Sequence, residues 1–262
     1  MALATIIWDV NPEAFSIGFI TVRWYGLLYA MGFLLGITIL GKIFKRENCP
    51  EDWADKVFIY MVLAVVIGAR LGHVFFYAWD YYKDNLLEIV MIWHGGLASH
   101  GGAIAMLIAA WIFSKKVSKK SFLWLGDRLF IPSAMVAGLI RIGNLMNSEI
   151  YGHATDLPWG FVFVRDGGTM PMHPTQIYEA YFALFAFMMY LYWVKDAHKR
   201  EGLLTGVGFT GIFVARFFIE FVKNNQEAFE DDLMLNMGQY LSIPFIAIGI
   251  WLIIRALRSN KI

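Results

Sequence analysis

Long apolar runs recur along this chain, near residues 17–41, 55–78, 96–113, 122–143, 175–194, 203–222 and 238–256. Each is about 18–25 residues, and at about 1.5 Å per residue a helix of that length crosses a hydrocarbon core about 30 Å thick. The chain is 58% hydrophobic, whereas soluble domains average about 45–50% even with glycine counted. The expected fold is therefore an all-α integral membrane protein with seven transmembrane helices. No linker composition or internal repeat divides it, so residues 1–262 are read as one polytopic domain. Residues 1–15 carry Asp9, Pro12 and Glu13 and lack a basic start, so no cleavable signal peptide is expected.

Basic residues orient such a bundle, because cytoplasmic connections retain Lys and Arg. Lys42, Lys45, Arg46 and Lys56 follow the first run, and Lys115, Lys116, Lys119 and Lys120 the third. Lys195, Lys199 and Arg200 follow the fifth, and Arg255, Arg258 and Lys261 close the chain. The alternate connections hold little beyond Lys83, Arg165 and Lys223. The N-terminus is thus expected outside and the C-terminus in the cytoplasm, with a short outer-face segment between helices four and five. The net charge of +1 supplies no field for nucleic acid. Cys49 is the single cysteine, so no internal disulfide can form.

Five arginines interrupt or end the apolar runs: Arg23, Arg70, Arg128, Arg141 and Arg216. A charge at the centre of a membrane helix costs at least about 2.5–3.5 kcal/mol, which makes each a functional hypothesis. On the expected topology Arg23 and Tyr25, the Arg70–His73–Tyr77 face, His100, Arg141, Asn144, Glu149, His173, Gln176, Tyr178, Glu179, Arg216 and Glu220 all fall in the outer half. Asp127 and Arg128 are the exceptions. Such clustering predicts one polar cavity opening toward the outer leaflet or outer water.

Three motifs carry the chemistry. His94-Gly-Gly-Leu-Ala-Ser-His100-Gly-Gly reads either as a tight helix entry or as a broken segment where His100 exchanges protons or contacts a headgroup. The histidines are dispersed, without His-x-x-x-His spacing, so no metal site is expected. Arg141, Asn144 and Asn147 share a helix face: a guanidinium grips phosphate with two parallel bonds, and an amide fixes a hydroxyl or carbonyl. The bland alternative there is a helix cap with a local Arg141–Glu149 pair. Arg216 and Glu220 stand one turn apart, as a phosphate clamp or a structural ion pair.

With these motifs in view the chain resembles the bacterial phosphatidylglycerol–prolipoprotein diacylglyceryl transferases over nearly its whole length. The resemblance rests on Arg23-Trp-Tyr25-Gly, Gly-Ala-Arg70-Leu-Gly, the His94–Gly102 segment, Asp127 and Arg141-Ile-Gly-Asn144-Leu-Met-Asn147-Ser-Glu149. It continues through His173-Pro-Thr-Gln176-Ile-Tyr178-Glu179, Arg216-Phe-Phe-Ile-Glu220-Phe and Met237-Gly-Gln239-Tyr-Leu-Ser242-Ile-Pro. His94 stands where other members often carry Asp, and Lys223 where many carry Arg, so Lys223 receives no catalytic role.

The resemblance implies transfer of the sn-1,2-diacylglyceryl group of phosphatidylglycerol to the lipobox cysteine of a preprolipoprotein signal peptide. Glycerol phosphate leaves, and no cofactor is implied. It also implies the bacterial inner membrane, with an outward-facing site contacting membrane lipid. Arg141 and Arg216 are expected to hold phosphate. His100 is expected as base or headgroup contact, with a carboxylate or water as the other bases. Tyr25, Asn144, Glu149 and Glu220 are expected to position lipid or arginine, with Arg70, His173 and Gln176 as further substrate contacts. Two other classes compete: a transporter, which usually brings repeats and midplane charges, and an intramembrane hydrolase using Ser99, whose neighbour His100 points elsewhere on a helix.

Overall fold

The structure, a computed structural model, describes residues 6–224 and 234–259; Lys261 of the basic tail lies outside the described residues. In chain order the elements are β1 (Ile6–Trp8), β2 (Glu13–Ile17), β3 (Ile20–Arg23), α1 (Trp24–Arg46), α2 (Trp53–Tyr77), α3 (Trp79–Tyr82) and α4 (Ser99–Ile112). Then come α5 (Phe122–Met146), β4 (Phe161–Phe163), α6 (Thr175–Tyr178), α7 (Phe182–Trp193), α8 (Leu203–Ile219) and α9 (Met237–Arg258). A π turn, Phe113–Ser118, extends α4, and a 3-10 turn, Glu220–Val222, extends α8.

Among the described residues six helical segments are long and apolar enough to cross a membrane: α1, α2, α4 with its π turn, α5, α8 with its 3-10 turn, and α9. Two expectations are corrected. The first span does not begin at residue 17. Residues 13–23 fold back as an antiparallel ribbon, and helix starts only at Trp24. The β-branched run Ile20-Thr21-Val22 favours extended backbone, and Gly18 at φ +61° turns the ribbon, so apolar content there marked strand. Arg23 accordingly ends β3 instead of lying inside a helix. The expected fifth span, 175–194, is also not continuous. It is broken between α6 and α7 at residues 179–181, where Tyr181 takes φ +49°.

The chain divides into two compact units, residues 1–38 with 127–262, and residues 39–126. In the first unit α1 meets α5 through Gly32 and Gly36, which face Val136 and Pro132. Gly206 of α8 faces the Gly249 carbonyl of α9, so those backbones approach closely as small residues allow in lipid. In the parallel pair β1–β4, Phe161 and Phe163 of β4 form a buried cluster with Leu145, Trp8 of β1 packs against it, and the Trp8 indole donates to the Leu145 carbonyl at 2.9 Å. Asp127 has a local task. Fully buried, its carboxylate accepts from Gly202 N (2.7 Å), Thr205 N (2.8 Å) and Thr205 Oγ1 (2.8 Å). It therefore caps α8 from a neighbouring helix, meeting donors that helix starts leave orphaned. Arg128 Nη1 stands 3.9 Å from the same carboxylate.

In the second unit α2 and α4 meet along Gly68, Gly72, Gly101 and Ala105. A Cβ at Gly101 would overlap the Gly68 carbonyl and lie 2.7 Å from Gly72 Cα. Gly101→Ala is therefore expected to destabilise by about 1–3 kcal/mol, the usual cost of overpacking. Gly26→Ala, where nothing lies within 4 Å, should leave stability equal or higher, since alanine favours helix by about 1 kcal/mol. Thermal melting of the two purified variants checks the contrast, and equal melting temperatures would refute it.

Candidate active site

The first unit gathers charges from α5, α6–α7, α8 and the turn beyond it. Arg141 Nε lies 2.8 Å from Glu179 Oε2. Glu179 Oε1 accepts from Lys223 Nζ at 3.3 Å, and Lys223 Nζ stands 3.6 Å from Glu220 Oε1. Glu220 Oε1 in turn lies 3.3 Å from Arg216 Nε, an ion pair without hydrogen-bond alignment. The result is an alternating row, Arg141–Glu179–Lys223–Glu220–Arg216. Its middle is buried: the side chains of Glu179, Lys223 and Glu220 are 1%, 5% and 8% exposed. Its ends are open, with Arg141 at 24% and Arg216 at 39%. Three cations face two carboxylates, leaving one positive charge uncompensated at two accessible guanidinium groups.

Local structure holds the row in place. Asn236 Nδ2 donates to Glu220 Oε2 at 3.1 Å, and Asn236 caps α9 in a reciprocal box with Gln239. A Cβ on Gly238 would lie 2.6 Å from Glu220 Oε1, so the helix start closes over that carboxylate. Lys223 is pinned by its backbone bridge to Gly152, where a Cβ would overlap the Val222 carbonyl. The break at residues 179–181 lets Glu179 reach Arg141. Protein surrounds this broken stretch at its carboxylate, Glu179 being 1% exposed.

The exit of α5 forms a second polar group beside the row. Glu149 Oε1 accepts from Asn144 Nδ2 at 2.8 Å and Asn147 Nδ2 at 3.2 Å. Gln176 Nε2 donates to the Glu149 carbonyl at 2.6 Å, and Thr175 Oγ1 to the Ile150 carbonyl at 2.8 Å. Tyr25 packs on Gly143, with Glu149 and Arg141 as its charged neighbours. The local Arg141–Glu149 pair is replaced: Arg141 turns to Glu179 and Glu149 turns to the two asparagines. His173 Nδ1 lies 3.2 Å from the Tyr178 hydroxyl, which accepts from Trp159 Nε1 at 2.9 Å. Burial, and then His153, lower the His173 pKa.

Arg70 and His100 belong to the second unit. Arg70 is buried, and its guanidinium donates to the carbonyls of Ile89 (2.9 Å), Gly95 (2.5 Å) and Glu88 (2.5 Å), with Tyr82 beneath it at 5.0 Å. It braces the segment leading to His100. Gly95 (φ +82°) and Gly96 (φ +71°) make that brace possible, since left-handed backbone brings their carbonyls to Arg70. His100 sits exposed in the first turn of α4, its Nε2 3.0 Å from the Tyr77 hydroxyl. His94 is half exposed, 3.9 Å from Glu88.

Sequence reasoning named Glu179 only among the outer-half polar residues and gave Lys223 no catalytic role, pairing neither with the partners it has here. The available signal was that buried carboxylates and ammoniums need partners; a lone Glu179 and Lys223 near apolar runs had to find one.

Taken together, these features define a polytopic helical membrane protein in which a buried charge row ends in two accessible arginines. The family model for prolipoprotein diacylglyceryl transferase matches residues 12–255. A phosphatidylglycerol–prolipoprotein diacylglyceryl transferase of Chloroherpeton thalassium is 46% identical over 98% of this chain and 96% of its own length. Proteins of the same name from Porphyromonas gingivalis and Tolumonas auensis are 48% and 44% identical, covering 98% and 97% of this chain and 96% and 99% of their own. The chain belongs to the prolipoprotein diacylglyceryl transferase family.

Proposed function

We propose that this chain transfers the sn-1,2-diacylglyceryl group of phosphatidylglycerol to the lipobox cysteine of preprolipoproteins, the first step of bacterial lipoprotein maturation. The observation that carries this reading is the row Arg141–Glu179–Lys223–Glu220–Arg216, buried in the middle and open at both arginine ends. The thiol loses its proton to a base. The thiolate forms a C–S bond to the glyceryl carbon as that carbon's bond to phosphate oxygen breaks. The electron pair leaves on glycerol phosphate, and positioned cations stabilise that developing charge.

In this reading Arg141 and Arg216 grip the phosphate, with Arg216 meeting the leaving charge. Tyr25, Asn144, Glu149 and Glu220 position lipid and arginine. His100 takes the thiol proton or contacts the headgroup. Arg70, its donors directed to loop carbonyls, acts by positioning the His94–His100 segment. Gln176, through the Glu149 carbonyl, and His173, whose carbonyl accepts from Gly152 N, hold the segment at the α5 exit. Incubation of purified protein with phosphatidylglycerol and a lipobox peptide tests the reading. Thioether formation with release of glycerol phosphate is expected; peptide cleavage, or solute flux in vesicles without transfer, would replace it with hydrolysis or transport.

The domain reading of 1–262 is supported by a family match that runs through both compact units. Seven crossings, with α6, the break and α7 as the fifth, fit the basic residues better than six. A count of six crossings would place Lys195, Lys199 and Arg200 on the side opposite Lys115–Lys120. The N-terminus is then outside, the C-terminus cytoplasmic, and the site faces outward in the bacterial inner membrane. Single cysteines at Lys116 and Thr169, both exposed, in a Cys49→Ser background give the check. An impermeant reagent on intact spheroplasts should reach residue 169 and spare residue 116; the reverse would invert the placement.

A further inference from the structure

The ribbon ahead of α1 has two unlike faces. Its register pairs Phe15 with Val22 and Ile17 with Ile20 on one side, and Ser16 with Thr21 on the other, their hydroxyls 3.3 Å apart. A bulge between Glu13 and Phe15 brings Glu13 opposite Arg23. The apolar side is uncovered: Phe15 is 47% exposed, Ile20 55%, Ile17 69%, and Phe19 at the turn 98%. A two-stranded ribbon is at best marginally stable in water on its own. One that leaves its apolar face bare needs another phase to cover it.

The position of the ribbon names that phase. β3 ends at Arg23 and α1 begins at Trp24 without an intervening residue, and Trp24 N donates to the Pro12 carbonyl at 3.0 Å, closing the ribbon base. The four residues of β3 span about 13 Å at about 3.3 Å each. The tip therefore stays within the interfacial zone around the end of the helix. The helix that follows also exposes apolar side chains, Met31, Leu34 and Leu35, as a span in contact with hydrocarbon does. We infer that the β2–β3 ribbon is a monotopic anchor: Ile17, Phe19 and Ile20 enter the headgroup–acyl boundary of the leaflet where α1 begins, while Ser16 and Thr21 face water and headgroups. Apolar faces of interfacial elements sink about 5–10 Å below the surface. A strand ribbon does the same with a period of two instead of 3.6.

Spin labels on single cysteines test this in the full-length protein, reconstituted in phosphatidylglycerol-containing bilayers. The variants are Ile17→Cys, Phe19→Cys, Ile20→Cys, Ser16→Cys and Thr21→Cys in a Cys49→Ser background, each checked by thermal melting. Labels at 17, 19 and 20 should collide with oxygen and be shielded from a water-soluble nickel chelate; labels at 16 and 21 should show the opposite. Because two polar and three apolar positions are read, loss of any one variant leaves the alternation measurable. Nickel access at all five positions, or dipolar broadening at 19 that disappears on dilution with unlabelled protein, would overturn the inference. The first outcome leaves the ribbon in water, and the second covers it with another copy of this chain.

Discussion

Arg216→Lys should insert, fold and still lose diacylglyceryl transfer by about 10²–10³-fold, the usual loss when a stabiliser of developing charge is removed. The substitution keeps the positive charge, and an ammonium can still approach Glu220, whose carboxylate lies 3.3 Å from Arg216 Nε. What is lost is the planar fork with two parallel donors for phosphate. If the pair were only structural, charge retention would preserve activity. Glu220→Gln probes the opposite partner. An amide oxygen can still accept from the guanidinium, so transfer should fall less than in Arg216→Lys. Stability should fall more, because Lys223 then keeps Glu179 as its sole carboxylate partner among the described residues. Lipobox-peptide modification and thermal melting of detergent-purified variants separate these outcomes. Near-parental transfer by Arg216→Lys would return the pair to a structural role.

The second large effect is expected at His100. His100→Gln should lower transfer at least about 10²-fold, as loss of acid–base catalysis does. His94→Asp should be tolerated, since His94 is half exposed and only 3.9 Å from Glu88 at the edge of the loop. Tyr77→Phe removes the hydroxyl 3.0 Å from His100 Nε2. If His100 carries the proton, this variant should shift the pH profile of kcat/KM while keeping substantial activity, because the ring remains and only its partner changes. A parental rate for His100→Gln would exclude His100 as the base and leave a carboxylate or water to take the thiol proton.

The membrane class, the positions of the helices and most of the polar positions were legible in the chain itself. Apolar runs of membrane length and the 3.6-residue period are properties of consecutive residues, and α2, α4, α5, α8 and α9 overlap the expected spans closely. Periodicity also placed Arg216 beside Glu220, because one helical turn separates them. The ribbon was misjudged since Ile17–Val22 is as apolar as a helix start. Only the turn at Gly18 and the strand pairing decide its backbone.

The sequence by itself determined where charge interrupts the apolar runs: Arg70, Arg141, Arg216, Glu179, Glu220 and Lys223 are all visible as polar residues in or beside them. Only the tertiary structure decided which charge answers which. Arg141 takes Glu179, thirty-eight residues away, over the nearer Glu149. Lys223 joins two carboxylates from different segments, and Arg70 is satisfied by backbone carbonyls that no side-chain pattern reveals. The reason is physical. Helical spacing encodes neighbours within a turn or two, whereas a buried ion must find its partner wherever packing brings a second helix, a broken one or a loop within reach.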